Sequence, residues 1–350
     1  MRVVTATMVV TATREATWQA EGRLRPMDPM RDLKAIADLI AHAFADELDD
    51  RGRAALRELR WMARLSPFVW WWSQADPSFQ DAFNGFVWEA PSPAPLLQKG
   101  QQIVGNVSLN RAPGGRRRYI ICNVVVQDGY RRQGIGRRLT EAAIAEAKEL
   151  GAEGVVLQVH QDNLTALRLY TGLGFQEAAG ETELRLETVP AVAVLDAPGY
   201  ALRPWRAVDG QAACQLAQLV TPAAQQWLKP VKAGDYQLDW WTRLGRWFAD
   251  WTAGQEVYRL TALRDDRLVA MMTVTAASRR GGHQLALLVH PDHAGQVEAA
   301  LVSRALHMLV TISPRPTCAQ VDQAHTAAMK VLQDYGFAKQ RTLLTMRKDF

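Results

Sequence analysis

Val126-Gln127-Asp128-Gly129-Tyr130-Arg131-Arg132-Gln133-Gly134-Ile135-Gly136-Arg137-Arg138-Leu139 is the stretch on which the reading of this chain turns. It follows Tyr119 to Val126, an apolar, β-branched run that predicts a buried strand. It leads into Leu139, Ala143, Ala147 and Leu150, spaced for one face of a helix, with Gly151 as the stop. A strand therefore feeds a loop with two glycines, and the loop opens directly into a helix. Gly134 and Gly136 lack side chains, so backbone N–H groups there can approach a ligand closely. The new helix adds unpaired N–H groups and the positive end of its dipole. Together they make an anion cradle suited to a pyrophosphate. Arg131, Arg132, Arg137 and Arg138 place positive charge around it.

Two familiar phosphate loops do not fit. A dinucleotide fingerprint needs a third glycine where Leu139 stands, and a Walker loop needs Lys-Ser/Thr where Arg137-Arg138 stands. What remains is Arg131-x-x-Gly134-x-Gly136. Outward from it, strands are predicted at Leu24-Arg25-Pro26, Phe86-Val87-Trp88, Ile103 to Leu109, Val155 to Val159 and Leu184-Arg185-Leu186. Helices are predicted through Leu33, Ile36, Ala37, Ile40 and Phe44, through Leu56, Leu59 and Met62, and from Leu164 to Thr171. After the last strand before it, the chain carries Asn163-x-x-Ala166-x-x-Leu169-Tyr170, then Gly174-Phe175.

Taken together, these two segments resemble the GNAT superfamily of acyl-CoA-dependent N-acetyltransferases, over roughly residues 22 to 187. The resemblance implies an α/β (α+β) fold, a central mixed, mostly antiparallel sheet flanked by helices. It implies acetyl-CoA as co-substrate and no metal. Val124, Val125 and Val126 match the strand that binds the pantetheine arm through its backbone. Arg131, Arg132, Gln133, Gly134, Ile135, Gly136 and Arg137 match the pyrophosphate loop. Asn163 matches the motif asparagine that contacts the cofactor, although Asn is also a favoured helix N-cap. Tyr170 matches the general acid for the departing thiolate, although it equally fits a core aromatic. Direct transfer needs no covalent enzyme intermediate, so Cys122 reads as packing. The general base stays open. Gln158 stands where some relatives carry a glutamate, and His160, Asp162, Glu89 or a relay of waters are the candidates.

The chain then begins again. Leu202-Arg203-Pro204 repeats Leu24-Arg25-Pro26 at an offset of 178, Leu268-Val269-Ala270 resembles Ile103-Val104-Gly105 at 165, and Tyr335-Gly336-Phe337 resembles Leu173-Gly174-Phe175 at 162. The expected organisation is a tail at 1–20, a catalytic GNAT-like domain at 21–189, a linker at 190–199 and a degenerate GNAT-like copy at 200–350. In the copy, Ala294, Val297 and Ala299 fall where Arg131, Gly134 and Gly136 stand; His325 replaces Asn163 and Leu332 replaces Tyr170. Side chains at both glycine positions obstruct the cradle, so the second half is expected neither to bind acetyl-CoA nor to catalyse. Trp70-Trp71-Trp72, Trp240-Trp241, Trp247 and Trp251 read either as packing or as walls of an apolar acceptor pocket. Arg116-Arg117-Arg118 reads as a solvated hairpin end or as a lure for acidic groups.

Composition bounds this reading. The 350 residues are 48% hydrophobic and 22% charged, which excludes wholesale disorder and suits about two domains. The net charge of +5 is mild, and no nucleic-acid motif accompanies it. No uncharged apolar run reaches the ~18 residues of a membrane span. Three scattered cysteines without a CxxC point to reduced thiols and a cytoplasmic protein. The expected partner is a small-molecule amine or a peptide amine. The alternative function is a non-catalytic acyl-CoA-binding sensor or interaction module. A monomeric pseudo-dimer and a homodimer are both open.

Overall fold

The computed structural model describes residues 22–43, 84–91, 101–115, 117–236, 255–277 and 281–350. The first half supplies β1 (Arg23–Pro26), α1 (Pro29–Ala43), β2 (Gly85–Pro91), β3 (Gln101–Arg111), β4 (Arg118–Val126), α2 (Ile135–Glu149), β5 (Gly154–His160), α3 (Leu164–Gly172) and β6 (Gln176–Leu186). The second supplies β7 (Ala201–Pro204), α4 (Gly210–Val220), α5 (Ala223–Leu228), β8 (Gln255–Arg264), β9 (Arg267–Ala277), β10 (His283–Val289), α6 (Glu298–Ile312), β11 (Thr317–Asp322), α7 (Thr326–Asp334) and β12 (Ala338–Asp349). The repetition seen in the sequence is repeated in the elements. α2 and α6 each have 15 residues, and α3 and α7 each have nine.

All twelve strands form one sheet, in the order β1-β2-β3-β4-β5-β12-β6-β11-β10-β9-β8-β7. It is mostly antiparallel, with parallel pairs at β4–β5 and β10–β11. The mixed, helix-flanked sheet expected from the sequence is therefore present, but as one surface rather than two. The last strand of each half crosses into the other. β12 pairs with β5, β6 pairs with β11, and β6 and β12 pair with each other. At the centre of the exchange, Thr182 and Thr342 face each other and their hydroxyls share a 2.9 Å hydrogen bond.

Helices cover both faces. In α1, Leu33, Ile36, Ala37 and Ile40 recur at helical spacing and are buried, with Ile36 and Ile40 against Val87 and Val125. In α2, Leu139, Ala143 and Ala147 form a buried stripe against Val104, Val107, Ile121 and Val155 on the opposite face. Gly151, at φ +72°, ends the segment after α2 in a left-handed conformation. The second half has its own core around Leu301, Leu306, Leu285 and Val274. Residues 190–199 are not loose: Ala197 is buried in that core, and the Leu195 N–H donates to Ser303 Oγ at 3.0 Å.

The duplicated Leu-Arg-Pro strands share an unanticipated purpose. Arg25 makes a two-pronged ion pair with Asp32 at 2.6 and 2.8 Å, and Arg203 makes one with Asp209 at 2.7 and 2.7 Å. Each arginine ties an edge strand to the start of the following helical segment. The halves also meet through Trp227 of α5. Its buried side chain packs on Ala112 and Val156, with the guanidinium groups of Arg118 and Arg347 at 4.9 and 4.6 Å from the ring.

Candidate active site

β4 and β5 run parallel yet pair only over Arg118–Ile120 and Gly154–Val156. β4 continues to Val126, while β5 follows β12 along its other edge as far as His160. The two strands part after Ile120 and leave a wedge between backbone edges that have no ladder partner. Beside the wedge β4 bulges: the register slips between Asn106 and Ser108, and Asn123 adopts φ +52°. The Asn106 side-chain amide donates to the Asn123 carbonyl at 3.0 Å and fixes the bulge. Beyond it, Val124 and Val126 are half-buried against the α2 core, while Val125 packs toward α1.

At the mouth of the wedge lies the glycine loop. Its chain turns through a short 3-10 segment, Asp128–Tyr130. Arg131 Nε then donates to the Val126 carbonyl at 3.1 Å, and its guanidinium meets Asp128 at 2.8 Å. Arg131 thus folds the loop onto the end of β4. Arg132 and Gly134 have φ of +62° and +79°. Two left-handed residues so close together turn successive N–H groups toward one side, as in an anion-binding nest. The first N–H of this region taken up by α2 is that of Arg138, which donates to Gly134 O at 3.1 Å. None of the backbone N–H groups from Arg132 to Arg137 has an acceptor among the described residues. A Cβ on Gly134 would meet nothing within 4 Å, so its positive φ, not packing, calls for glycine. A Cβ on Gly136 would stand 3.7 Å from Leu169 and 3.8 Å from Val126, which sets the loop against both α3 and β4. Open N–H donors at a helix start fit a diphosphate. Arg137 leans toward Glu141 at 3.4 Å, and Arg138 stacks 5.5 Å above Trp88.

Tyr170 projects from α3. It is 7% exposed and meets Phe175 edge-on at 5.9 Å. Burial pushes its phenol up to about 12, so the hydroxyl stays protonated at neutral pH. No hydrogen bond to that hydroxyl is made by any described residue. Asn163 caps α3, its Oδ1 accepting from the Ala166 N–H at 3.1 Å. At the far end, Lys348 Nζ of β12 donates to the Leu173 carbonyl at 2.8 Å. The second half therefore holds the helix that bears Tyr170.

One candidate base is removed. Glu89 is 2% exposed and receives Arg25 and Arg31 at 2.7 and 2.6 Å and Arg23 at 3.0 Å. The guanidinium groups, Arg25 first, hold its carboxyl below the usual range. A carboxylate stabilised as an anion by three cations is a poor proton acceptor. Gln158 and Asp162 are exposed, and His160 is half-buried at the end of β5. Cys122 makes a weak contact to Asn110 Nδ2 at 3.4 Å, and burial pushes its thiol up to about 12, which leaves it un-ionised. Among the described residues no group of His, Cys, Asp or Glu is arranged to hold a metal. Cys122, Cys214 and Cys318 are free thiols. The tryptophan-rich segments at 70–72, 240–241, 247 and 251 and Arg116 lie outside the described residues. Trp227, which the sequence reading did not single out, is a tryptophan that the structure places against the β4–β5 region.

Residues 54–175, which hold the wedge, the open loop and Tyr170, match the acetyltransferase (GNAT) family model. This segment of the chain is thus similar to the GNAT acetyltransferases. A GCN5-related N-acetyltransferase from Sphaerobacter thermophilus shares the fold, with a TM-score of 0.57 at 17% identity over 94% of this chain and 96% of that one. Among curated relatives, the [ribosomal protein bS18]-alanine N-acetyltransferase of Escherichia coli K12 is 43% identical over 56 residues, 16% of this chain and 38% of the relative. The mycothiol acetyltransferase of Thermobispora bispora is 30% identical over 159 residues, 44% of this chain and 46% of the relative. The chain thus spans less than half the length of these two relatives. No helix among the described residues is long and apolar enough to cross a membrane.

Proposed function

We propose that the first half, residues 21–189, transfers an acetyl group from acetyl-CoA to a primary amine by direct attack. The observation that carries this is the meeting of an open cradle, a parted β4–β5 pair and a protonated, unpartnered Tyr170 in one place. Bound acetyl-CoA supplies the activated acetyl group. The N–H groups from Arg132 to Arg137 hold its diphosphate, with Arg131 fixing the loop and Asn163 fixing the helix behind it. The unpaired edge of Val124 to Val126 receives the pantetheine amides, and a backbone N–H near the bulge at Asn123 steadies the thioester oxygen as it gains charge. The acceptor nitrogen attacks the carbonyl carbon, the C–S bond breaks, Tyr170 gives its proton to the departing sulfur, and the proton that the nitrogen sheds as the amide forms restores the phenol. A lysine-like amine has a pKa near ~10.4 and must lose a proton first. With Glu89 excluded, that proton leaves through His160, Asp162 or a water relay.

Residues 200–350 serve as a degenerate partner, joined through 190–199, and 1–20 is a tail. The chain works as a monomeric pseudo-dimer or as a homodimer, in the cytoplasm, on a small-molecule or peptide amine, without metal, membrane or nucleic acid. The curated relatives are named for an alanine of a ribosomal protein and for mycothiol, which supports amines on both small molecules and polypeptides. The test is a panel of amino sugars, polyamines, amino acids and Ala-, Ser- and Lys-bearing peptides with acetyl-CoA, following free thiol. Acceptor-dependent thiol release and an acetylated product are expected. Tight acetyl-CoA binding without turnover on the whole panel would instead favour an acyl-CoA-binding sensor, a reading that the glutamine at position 158 and the neutralised Glu89 favour.

A further inference from the structure

We propose that the second half keeps the cofactor cradle and fills it with its own carboxylate, that of Glu298. At an offset of 163, Glu298 falls where Ile135 opens α2, and Gly295 falls on Arg132, the loop's first left-handed residue. Gly295 has φ +82°, so the copy reproduces the turn. Glu298 is wholly buried at the start of α6. Its Oε1 accepts the Gly295 N–H at 2.7 Å and its Oε2 accepts the Val297 N–H at 3.1 Å. These are counterparts of N–H groups left open at Arg132 and Gly134. His325 Nε2 lies 2.9 Å from the same Oε1.

His325 stands at the position of Asn163. Asn163 uses its side chain to cap α3, whereas His325 makes no cap bond to α7 and turns to Glu298 instead. Two replacements, one from each wall of the cradle, have thus produced one interaction in its interior. His325 and the backbone N–H groups hold the Glu298 carboxyl below its ordinary range despite its burial. An anion at a helix N-terminus, hydrogen-bonded by loop N–H groups, is what a diphosphate would be there. The carboxylate therefore stands in for a ligand that this half no longer takes. This inference concerns the second half alone and holds whether or not the first half turns over.

Backbone amide hydrogen exchange of the full chain, without and with coenzyme A, reads this directly. Without coenzyme A, Gly295 and Val297 should be protected at least tenfold more than Arg132 and Gly134. Adding coenzyme A should protect Arg132 and Gly134 and leave Gly295 and Val297 unchanged. Equal exchange in the two loops, or new protection of Gly295 on adding coenzyme A, would overturn the proposal. In a second arm, Glu298→Ala is melted with coenzyme A saturating the first half and inorganic pyrophosphate added at millimolar concentration. The variant should melt lower than the parent and be partly restored by pyrophosphate, while the parent shows no response. A restored parent, or a folded variant indifferent to pyrophosphate, would overturn the proposal. If the variant does not fold, the exchange comparison on the parent decides.

Discussion

The loops at 126–137 and 289–300 descend from one pattern and have reached opposite states. Both follow a strand, pass through a 3-10 turn and enter a 15-residue helix. In the first, N–H groups from Arg132 onward lack acceptors. In the second, Glu298 occupies those of Gly295 and Val297. An unsatisfied buried polar group costs about 1–3 kcal/mol, so an open cradle is tolerated where water or a ligand completes it. The lesson is that losing a ligand site takes more than losing contacts. The donors left behind need a replacement acceptor, and a buried carboxylate with a histidine neighbour provides one.

Four substitutions test the roles assigned to the two halves. The largest effect should come from Tyr170→Phe. Turnover should fall ~10²-fold or more, with the dissociation constant for coenzyme A little changed. Because burial pushes this phenol up to about 12, any alkaline loss of the parent's rate assignable to Tyr170 should begin only as the pH approaches that value. A rate unaltered by the substitution would remove Tyr170 from the chemistry. Next, Gly134→Val imports the residue of the closed loop. A β-branched residue at φ +79° is strained by about 1–2 kcal/mol, and coenzyme A affinity should fall ~10-fold or more by calorimetry. Undiminished binding would show that the loop's shape is not what admits the ligand.

A smaller effect is expected at Glu89→Gln. The three arginines lose the carboxylate they share, although Arg25 keeps Asp32, and the melting midpoint should drop by several degrees, as removing one member of a buried ion network does. The kcat/KM of the folded enzyme should stay within about threefold of the parent. Abolished turnover in a protein of parental stability would restore Glu89 as a base. The smallest effect is in the pH dependence of stability. The folded state holds Glu298 below its unfolded pKa. Its contribution is therefore complete above the unfolded value and fades as pH falls through the folded one. Glu298→Gln should flatten the acid side of a plot of melting midpoint against pH, and an identical acid slope would argue that the carboxylate is not ionised in place.

Much of this was legible in the chain itself. The strand–glycine–helix order gave the cradle because only Gly134 tolerates φ +79° there, and the buried stripes of α1 and α2 followed from their spacing. The drifting offsets of the repeats anticipated the paired elements. Three features stayed hidden for physical reasons. A strand's sequence states which face it buries but not which neighbour it pairs with, so the exchange of β6 and β12 left no trace. Glu89 reads as a candidate base until Arg23, Arg25 and Arg31, distant in sequence, converge on it. Glu298 did leave a signal. It puts a charge where its counterpart Ile135 is buried, but sequence alone does not say that this charge turns back onto the N–H groups of its own loop.

The strand exchange has a consequence for how the protein is made. During synthesis, β5 and its wedge emerge long before β12, which must lie against β5 along its whole length and grip the end of α3 through Lys348. Until residues 338–349 have left the ribosome, the first half has its glycine loop but an open sheet edge, and such edges invite wrong pairings. Among the described residues the longest-range pairing is thus the one that completes the first half, which favours slow, late folding. A first half ready to bind a ligand would then appear only after residues 338–349 are made, and a fragment cut at the linker would carry every candidate catalytic residue and still lack the strand that lies beside them.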